Sequence, residues 1–141
     1  MNVLWLASWY PNRTNTTTGD FIERHAQAVA PFVDTLNLIA VVKDDTLTFN
    51  EVHWVEEQQQ NFRSIIVYYG KSKWGKWIDQ LLSFYRYTAL QRKAYAKIYG
   101  KSAHPNLVHV HVAMKAGLFA VELKKKYQIP YVVTEHWSGY Y

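Results

Sequence analysis

A short segment near the end of this 141-residue chain, Glu135-His136-Trp137-Ser138, has residue types that could do chemistry. It directly follows an apolar run that is typical of a strand. A histidine beside a carboxylate can be tuned as an acid, a base or a hydrogen-bond donor, and an indole ring can stack on a sugar or a base. We therefore predict a binding or catalytic role for this segment. The alternative is that these residues only cap the strand.

A second candidate is His109-Val110-His111, where two imidazoles share one face of a predicted strand. Zinc binding would need a third ligand, for which Glu135 and His136 are the nearest candidates. The chain has no cysteine and no HExxH pattern, so we expect neither a metal nor a bound cofactor. His109 is instead predicted to be a hydrogen-bonded core histidine. His111 lies closer to the end of the strand and is predicted to face a ligand.

The third candidate is the loop of residues 9–20, which is rich in Asn, Thr, Pro and Gly. Gly19 would allow the backbone to approach a ligand, and the helix that begins near Asp20 offers unpaired amide groups. The alternative is a polar surface loop with a glycine at a helix start.

Apolar runs alternate with helical patterns along the chain. The predicted strands are residues 2–8, 36–42, 51–57, 65–69, 107–112 and 129–135. Three helices are predicted: the first begins near Gly19, and the other two cover residues 74–89 and 116–127. This alternation favours an α/β fold, a Rossmann-like parallel β-sheet flanked by helices, with 51–57 and 65–69 as a hairpin. The ligand cleft of such a sheet lies at the carboxyl ends of the strands, where the three candidate segments should converge.

The longest predicted helix carries an apolar stripe that is predicted to pack on the sheet and to leave the lysines outward. The stripe consists of Trp74, Trp77, Ile78, Leu81, Leu82, Tyr85 and Ala89. The net charge of the chain is +5, but residues 71–101 contain eight bases and one acid, so the rest of the chain sums to −2.

Tryptophans next to lysines, as in Lys73-Trp74-Gly75-Lys76-Trp77, are typical of a lipid headgroup interface. The same mixture could bind nucleic acid, or it could simply be a solvated helix face.

Composition bounds the remaining possibilities. A length of 141 residues fits one domain, and 49% hydrophobic with 19% charged residues is globular. The apolar start of the chain is too short for a membrane span and has no preceding basic cluster, so we expect a cytoplasmic protein. The motifs GxGxxG, GxxxxGK[ST] and GxSxG are absent, which removes the main support for dinucleotide, P-loop and serine-hydrolase functions.

Several segments together resemble a known family. They are NVLWLASWYPN, GDFIERHAQAVA and PNLVHVHVAMKAGLFAVELKKKYQIPYVVTEHWS, of which HxHxxxxAG and IPYVVTEH are the most specific. They resemble the amino-terminal domain of the retaining glycosyltransferase family 4, which has the two-domain GT-B fold, and the resemblance covers nearly the whole chain.

This resemblance implies that residues 1–141 are the acceptor-side half of a GT-B enzyme, without the carboxyl-terminal donor-binding domain and inactive alone. The intact enzyme would transfer a sugar from a nucleotide-sugar donor to a glycan or lipid-linked acceptor with retention of configuration. By position, His136 would lie beside the transferred sugar, His111 at the cleft wall, and Gly19 with Asp20 near donor phosphates or acceptor. Peripheral contact with the inner face of the membrane would suit a lipid-linked acceptor.

Two other functions stay open. One is a stand-alone module that docks on an anionic membrane or on nucleic acid through its basic helix, although we expect no nucleic-acid partner. The other is a Rossmann-like domain that binds a small nucleotide without catalysis.

Overall fold

The computed structural model describes residues 1–136, so the predicted site residues Trp137 and Ser138 lie outside the described part. The elements in chain order are β1 (Asn2–Ala7), α1 (Asp20–Val29) with a 3-10 turn (Ala30–Phe32), β2 (Thr35–Lys43), β3 (Val52–Gln59), β4 (Phe62–Tyr69), α2 (Lys76–Tyr99), β5 (Leu107–His111), α3 (Ala113–Tyr127) and β6 (Tyr131–Thr134). No helix within residues 1–136 combines the length and apolar character that a membrane crossing needs.

The six strands form one sheet in the order β3-β4-β2-β1-β5-β6. Only β3 is antiparallel, paired with β4 in the predicted hairpin. The five parallel strands, counted in chain order, lie 3-2-1-4-5, so the order reverses between β1 and β5. This reversal is the topological switch point at which doubly wound sheets bind ligands. The predicted Rossmann-like fold is therefore confirmed, and it is consistent with one half of a GT-B fold.

The sheet is buried on both faces because its central strands are mostly apolar, with Asn37 in β2 and two histidines in β5 as buried or half-buried polar residues. Alternate residues of β1 point to opposite sides: Val3 and Trp5 pack under α1, while Leu4 and Leu6 pack under α2 and α3. In β5, Val108 and Val110 belong to the layer under α2 and α3. The two histidines between and after them therefore face α1.

The predicted packing of α2 is wrong. The buried residues of this helix are Tyr87, Leu90, Gln91, Ala94 and Tyr95. The predicted stripe is exposed except for the half-buried Leu82.

Helix length explains this difference. The 24 residues of α2 span about 36 Å, whereas the eight residues of β4 span about 26 Å. Asp79, in the first turn, already pairs with Lys43, the last residue of β2. Because Tyr99 reaches Asn37 near the start of β2, the first turns of α2 extend past the carboxyl edge of the sheet.

Helix α3 begins three residues earlier than predicted. Val112 has a φ of 65°, which turns the chain directly from β5 into α3. A positive φ is unfavourable for a β-branched residue, so the surroundings must hold this turn in place. Ser8 contributes to this, because its Oγ donates to the Val112 carbonyl oxygen at 2.6 Å and accepts from Ala116 N–H at 3.4 Å.

Candidate functional site

The parts of the three predicted segments that lie within residues 1–136 converge at the carboxyl edge of the sheet. Strand pairing sets Ala7 level with His111, and His111 level with Thr134. The ends of β1, β5 and β6 therefore meet at one place, next to the first turn of α1. There the ring of Phe21 lies 4.6 Å from the ring of His136, measured between centroids. This edge is the candidate site.

His136 and His111 form the centre of the site. Nδ1 of His111 lies 3.2 Å from Nε2 of His136, and the two rings are nearly parallel, at 2°. His111 is fully buried, whereas His136 is half-buried. Because His111 is buried behind His136, it would influence a ligand only through its contact with His136. The predicted contact of His111 with a ligand stays a prediction.

Two further histidines complete what we call the histidine cluster: His25, His109, His111 and His136. Nε2 of His109 lies 2.8 Å from Oγ1 of Thr134, so this half-buried histidine is hydrogen-bonded, as predicted. His25 on α1 lies with its ring centroid 6.2 Å from that of His111. The sequence pattern did not single out His25 as a site residue. His25 could have been predicted from its position, because it follows Phe21 by one turn on a helix that begins at the predicted cleft.

Trp5 forms the floor of the cluster. Its ring centroid lies 4.2 Å from that of His111, 5.2 Å from His109 and 5.3 Å from His25. Trp5 is only 2% exposed. This buried indole packs against the rings of His109 and His111 on the sheet, whereas His25 on α1 is exposed.

Burial keeps three of the four rings, those of His109, His111 and His136, uncharged at neutral pH. It lowers the pKa of His111 to about 3, and the neighbouring imidazoles of His109, His136 and His25 lower it further. Burial also lowers the pKa of His109 and of His136, again with a contribution from nearby imidazoles. At neutral pH these three rings are therefore neutral, and each has one N–H donor and one acceptor nitrogen.

Gly19 fixes the entry to α1. Its φ is 76°, and a Cβ there would lie 2.8 Å from the carbonyl carbon and oxygen of Trp9. Both the backbone conformation and the close approach require glycine. Asp20 is exposed at the first position of α1 and pairs with Arg24 at 3.1 Å.

The loop before Gly19 is held at its far side by Arg13. Nε of Arg13 donates a hydrogen bond to Oδ2 of Asp44 at 2.7 Å. The backbone N–H of Arg13 donates to the hydroxyl of Tyr68, and the guanidinium of Arg13 lies over the Tyr68 ring. Asp44 is buried, and hydrogen bonds from Thr46 and from Arg13 lower its pKa. The loop is therefore anchored to the ends of β2 and β4.

Glu135 has a positioning contact in this structure. Its Oε1 accepts a hydrogen bond of 2.7 Å from the backbone N–H of Ala113, the first residue of α3. A carboxylate there satisfies an otherwise unpaired amide and complements the helix dipole. The predicted contact of Glu135 with substrate stays a prediction. Within residues 1–136, no three His, Asp or Glu side chains are arranged to hold a metal ion.

The predicted membrane-interface residues lie on the same edge of the sheet, outside the histidine cluster. Lys73, Trp74, Lys76 and Trp77 are all exposed, just before and at the start of α2.

The chain is similar in sequence to a curated bacterial protein. The chain is 28% identical to a Bacillus subtilis (strain 168) protein described as "Putative teichuronic acid biosynthesis glycosyltransferase TuaC". The alignment of 152 residues covers 98% of this chain and 36% of the relative. The chain therefore spans about a third of the length of the curated relative it matches. No protein-family model matches the chain.

Proposed function

We propose that this chain is the acceptor-side domain of a retaining GT-B glycosyltransferase of family 4, and that His136 is its catalytic residue. The complete protein would transfer a sugar from a nucleotide-sugar donor to a glycan or lipid-linked acceptor. The observation that carries the proposal is the convergence of the α1 entry, His111 and His136 at the switch point of the sheet. Similarity to a described glycosyltransferase over 98% of the chain supports the same class.

The donor would bind mainly to a second domain outside these 141 residues, because the relative is much longer than the chain. The 141-residue chain itself would contribute the acceptor surface and one wall of the cleft. Gly19 and Asp20 would lie near the donor phosphates or the acceptor. Glu135, Trp137 and Ser138 are further proposed substrate-binding residues. A cytoplasmic location agrees with the use of nucleotide sugars.

The protonation of the cluster suggests what His136 does. Nε2 of His111 is buried and has no hydrogen-bond partner among residues 1–136. Buried donors without an acceptor are rarer than buried acceptors without a donor, so we assign the proton of His111 to Nδ1. This N–H then donates to Nε2 of His136, which leaves the proton of His136 on Nδ1. That N–H would hydrogen-bond the transferred sugar and help stabilise charge that develops during transfer.

Substitution of His136 in the complete protein tests this role. We expect His136→Ala to lower kcat about 100-fold, a typical loss for a positioned acid, base or donor. The free energy of unfolding should change by about 1 kcal/mol at most, because the ring is only half-buried. The measurements are release of nucleoside diphosphate from a panel of nucleotide sugars, and the anomeric configuration of the product by NMR.

His104 provides a matched control. It is also half-buried and hydrogen-bonded, to Tyr95 at 2.7 Å, but it precedes β5 at the opposite edge of the sheet. His104→Ala should leave turnover within about twofold, the size expected for a residue that makes no transition-state contact. Wild-type turnover of His136→Ala would refute its role, and an inverted product would refute retention. Similarity to a glycosyltransferase does not favour a stand-alone binding module.

A further inference from the structure

The first turns of α2 present a continuous apolar surface to solvent, which we call the aromatic face. It consists of Trp74, Trp77, Ile78, Leu81, Phe84 and Tyr85, which are 43% to 86% exposed. The five helical members recur at spacings of three and four residues or lie adjacent, so they share one side of the helix. Trp74 precedes the helix and stacks against Phe49, with 6.4 Å between ring centroids.

Basic residues flank the aromatic face. Lys73 and Lys76 are exposed, and within residues 1–136 neither has a carboxylate within 4 Å. The only acid in residues 71–101 is Asp79, and it is already paired with Lys43. Lys73 and Lys76 therefore border the face as two basic residues that no carboxylate of residues 1–136 pairs with, whereas the neighbouring Lys71 pairs with Asp45.

We propose that the aromatic face docks on the surface of an anionic lipid bilayer. Tryptophan and tyrosine rings reside well at the boundary between headgroups and acyl chains, while flanking lysines reach anionic headgroups. Protein interfaces, by contrast, are depleted in lysine. Nucleic acid would use the rings and the lysines but would leave Ile78 and Leu81, in the middle of the face, without a partner.

Docking would also hold the candidate site at the membrane. Asp79 in the first turn of α2 contacts the end of β2, so the aromatic face and His136 share the carboxyl edge of the sheet. If the proposed sugar transfer is correct, the acceptor is then an amphiphile held in the bilayer. This last step rests on the proposed function, whereas the docking itself does not.

Vesicle sedimentation of the complete protein tests the docking. We expect binding to phosphatidylglycerol–phosphatidylcholine vesicles at low salt, weaker binding at high salt, and little binding to phosphatidylcholine alone. The double variant Lys73→Gln/Lys76→Gln should weaken partitioning about 25-fold, since each lysine near an anionic surface accounts for about fivefold. Trp74→Ala/Trp77→Ala should weaken it by about tenfold or more, from lost apolar burial.

Matched controls lie at the opposite edge of the sheet. Phe32 is 86% exposed, the same fraction as Trp77, but it belongs to the turn before β2. Lys124 and Lys125 are exposed at the end of α3. Phe32→Ala and Lys124→Gln/Lys125→Gln should bind vesicles as the wild type does.

Several results would overturn the docking. One is no binding to anionic vesicles at low salt, and another is an equal loss in the control variants. A dimer that depends on Trp74 and Trp77, with no vesicle binding, would assign the face to a second copy of the chain. Binding of an oligonucleotide but not of vesicles would assign it to nucleic acid. Vesicle binding without any sugar transfer by the complete protein would refute the proposed function and leave the docking intact.

Discussion

The histidine cluster and the aromatic face lie on the same edge of the sheet and are built from similar groups, yet their physical states are opposite. In the cluster, Trp5 is 2% exposed and His111 is fully buried. On the face, Trp77 is 86% exposed and Lys73 is in solvent. Burial keeps His109, His111 and His136 of the cluster neutral, whereas Lys73 and Lys76 beside the face have no carboxylate of residues 1–136 within 4 Å.

The difference comes from what lies opposite each ring. The cluster residues of β5 face α1, and Trp5 of the neighbouring strand fills the space between them. The first turns of α2 contact the ends of β2 and β4 through Asp79 and Arg86, and the aromatic face is on the opposite side of these turns, exposed to solvent. Aromatic residues between the sheet and α1 are therefore buried and form a preorganised site. Aromatic residues on the exposed side of α2 instead form a surface that can dock on a partner.

The largest expected effect contrasts the two ends of α2. Leu90 is 5% exposed and packs in the core, whereas Leu81 is 59% exposed on the aromatic face. Leu90→Ala should lower the free energy of unfolding by about 3 kcal/mol, because it removes a buried side chain and leaves a cavity. Leu81→Ala should change it by less than about 0.5 kcal/mol. Urea unfolding followed by circular dichroism measures both.

Equal destabilisation by the two leucine variants would mean that the start of α2 packs against the domain. The distinction between a buried and an overhanging half of the helix would then be wrong.

A second effect concerns pH and should arise only in the histidine cluster. Folded His111 has a pKa of about 3, whereas an unfolded histidine has one of 6.5. Between these values the unfolded state binds more protons, so the free energy of unfolding falls as pH falls below 6.5. The loss should reach about 2 kcal/mol at pH 5, since one pKa unit corresponds to about 1.4 kcal/mol. Unfolding by urea at pH 7.5 and pH 5 gives this difference.

His111→Leu should reduce the difference in unfolding free energy between the two pH values, because it removes the buried titrating ring. Trp77→Ala on the aromatic face should keep the wild-type difference. An unchanged difference in His111→Leu would show that the ring is protonated in the folded protein at pH 5, which would contradict a neutral cluster.

Much of the fold was predictable because the sheet obeys local rules. Apolar runs such as 36–42 marked buried strands, and the alternation of strands with helices implied parallel pairing. The rule that ligand sites lie at the carboxyl ends of such strands predicted that His111, His136 and the Gly19 loop lie close together.

The packing of α2 was not predictable in the same way. The helix is apolar on two sides: one carries Leu90 and Tyr87, the other Trp77 and Leu81. The spacing of apolar residues along a helix shows that one side is apolar, but it does not show whether that side packs against the sheet. The role of Ser8 in holding Val112 also depends on contacts between residues 104 apart in sequence, which spacing along the chain does not reveal.

The smallest expected effect is at the junction between the cluster and α3. Glu135→Ala removes the hydrogen bond to Ala113 N–H and should cost about 1 kcal/mol of unfolding free energy, the typical value of a helix cap. Glu135→Gln keeps an acceptor oxygen but loses the charge at the helix start, so it should cost about half as much. If both variants keep wild-type stability while turnover of the complete protein falls, Glu135 acts on the substrate and not on α3. A loss of stability with little loss of turnover would instead make it a cap that holds the chain next to His136 in place.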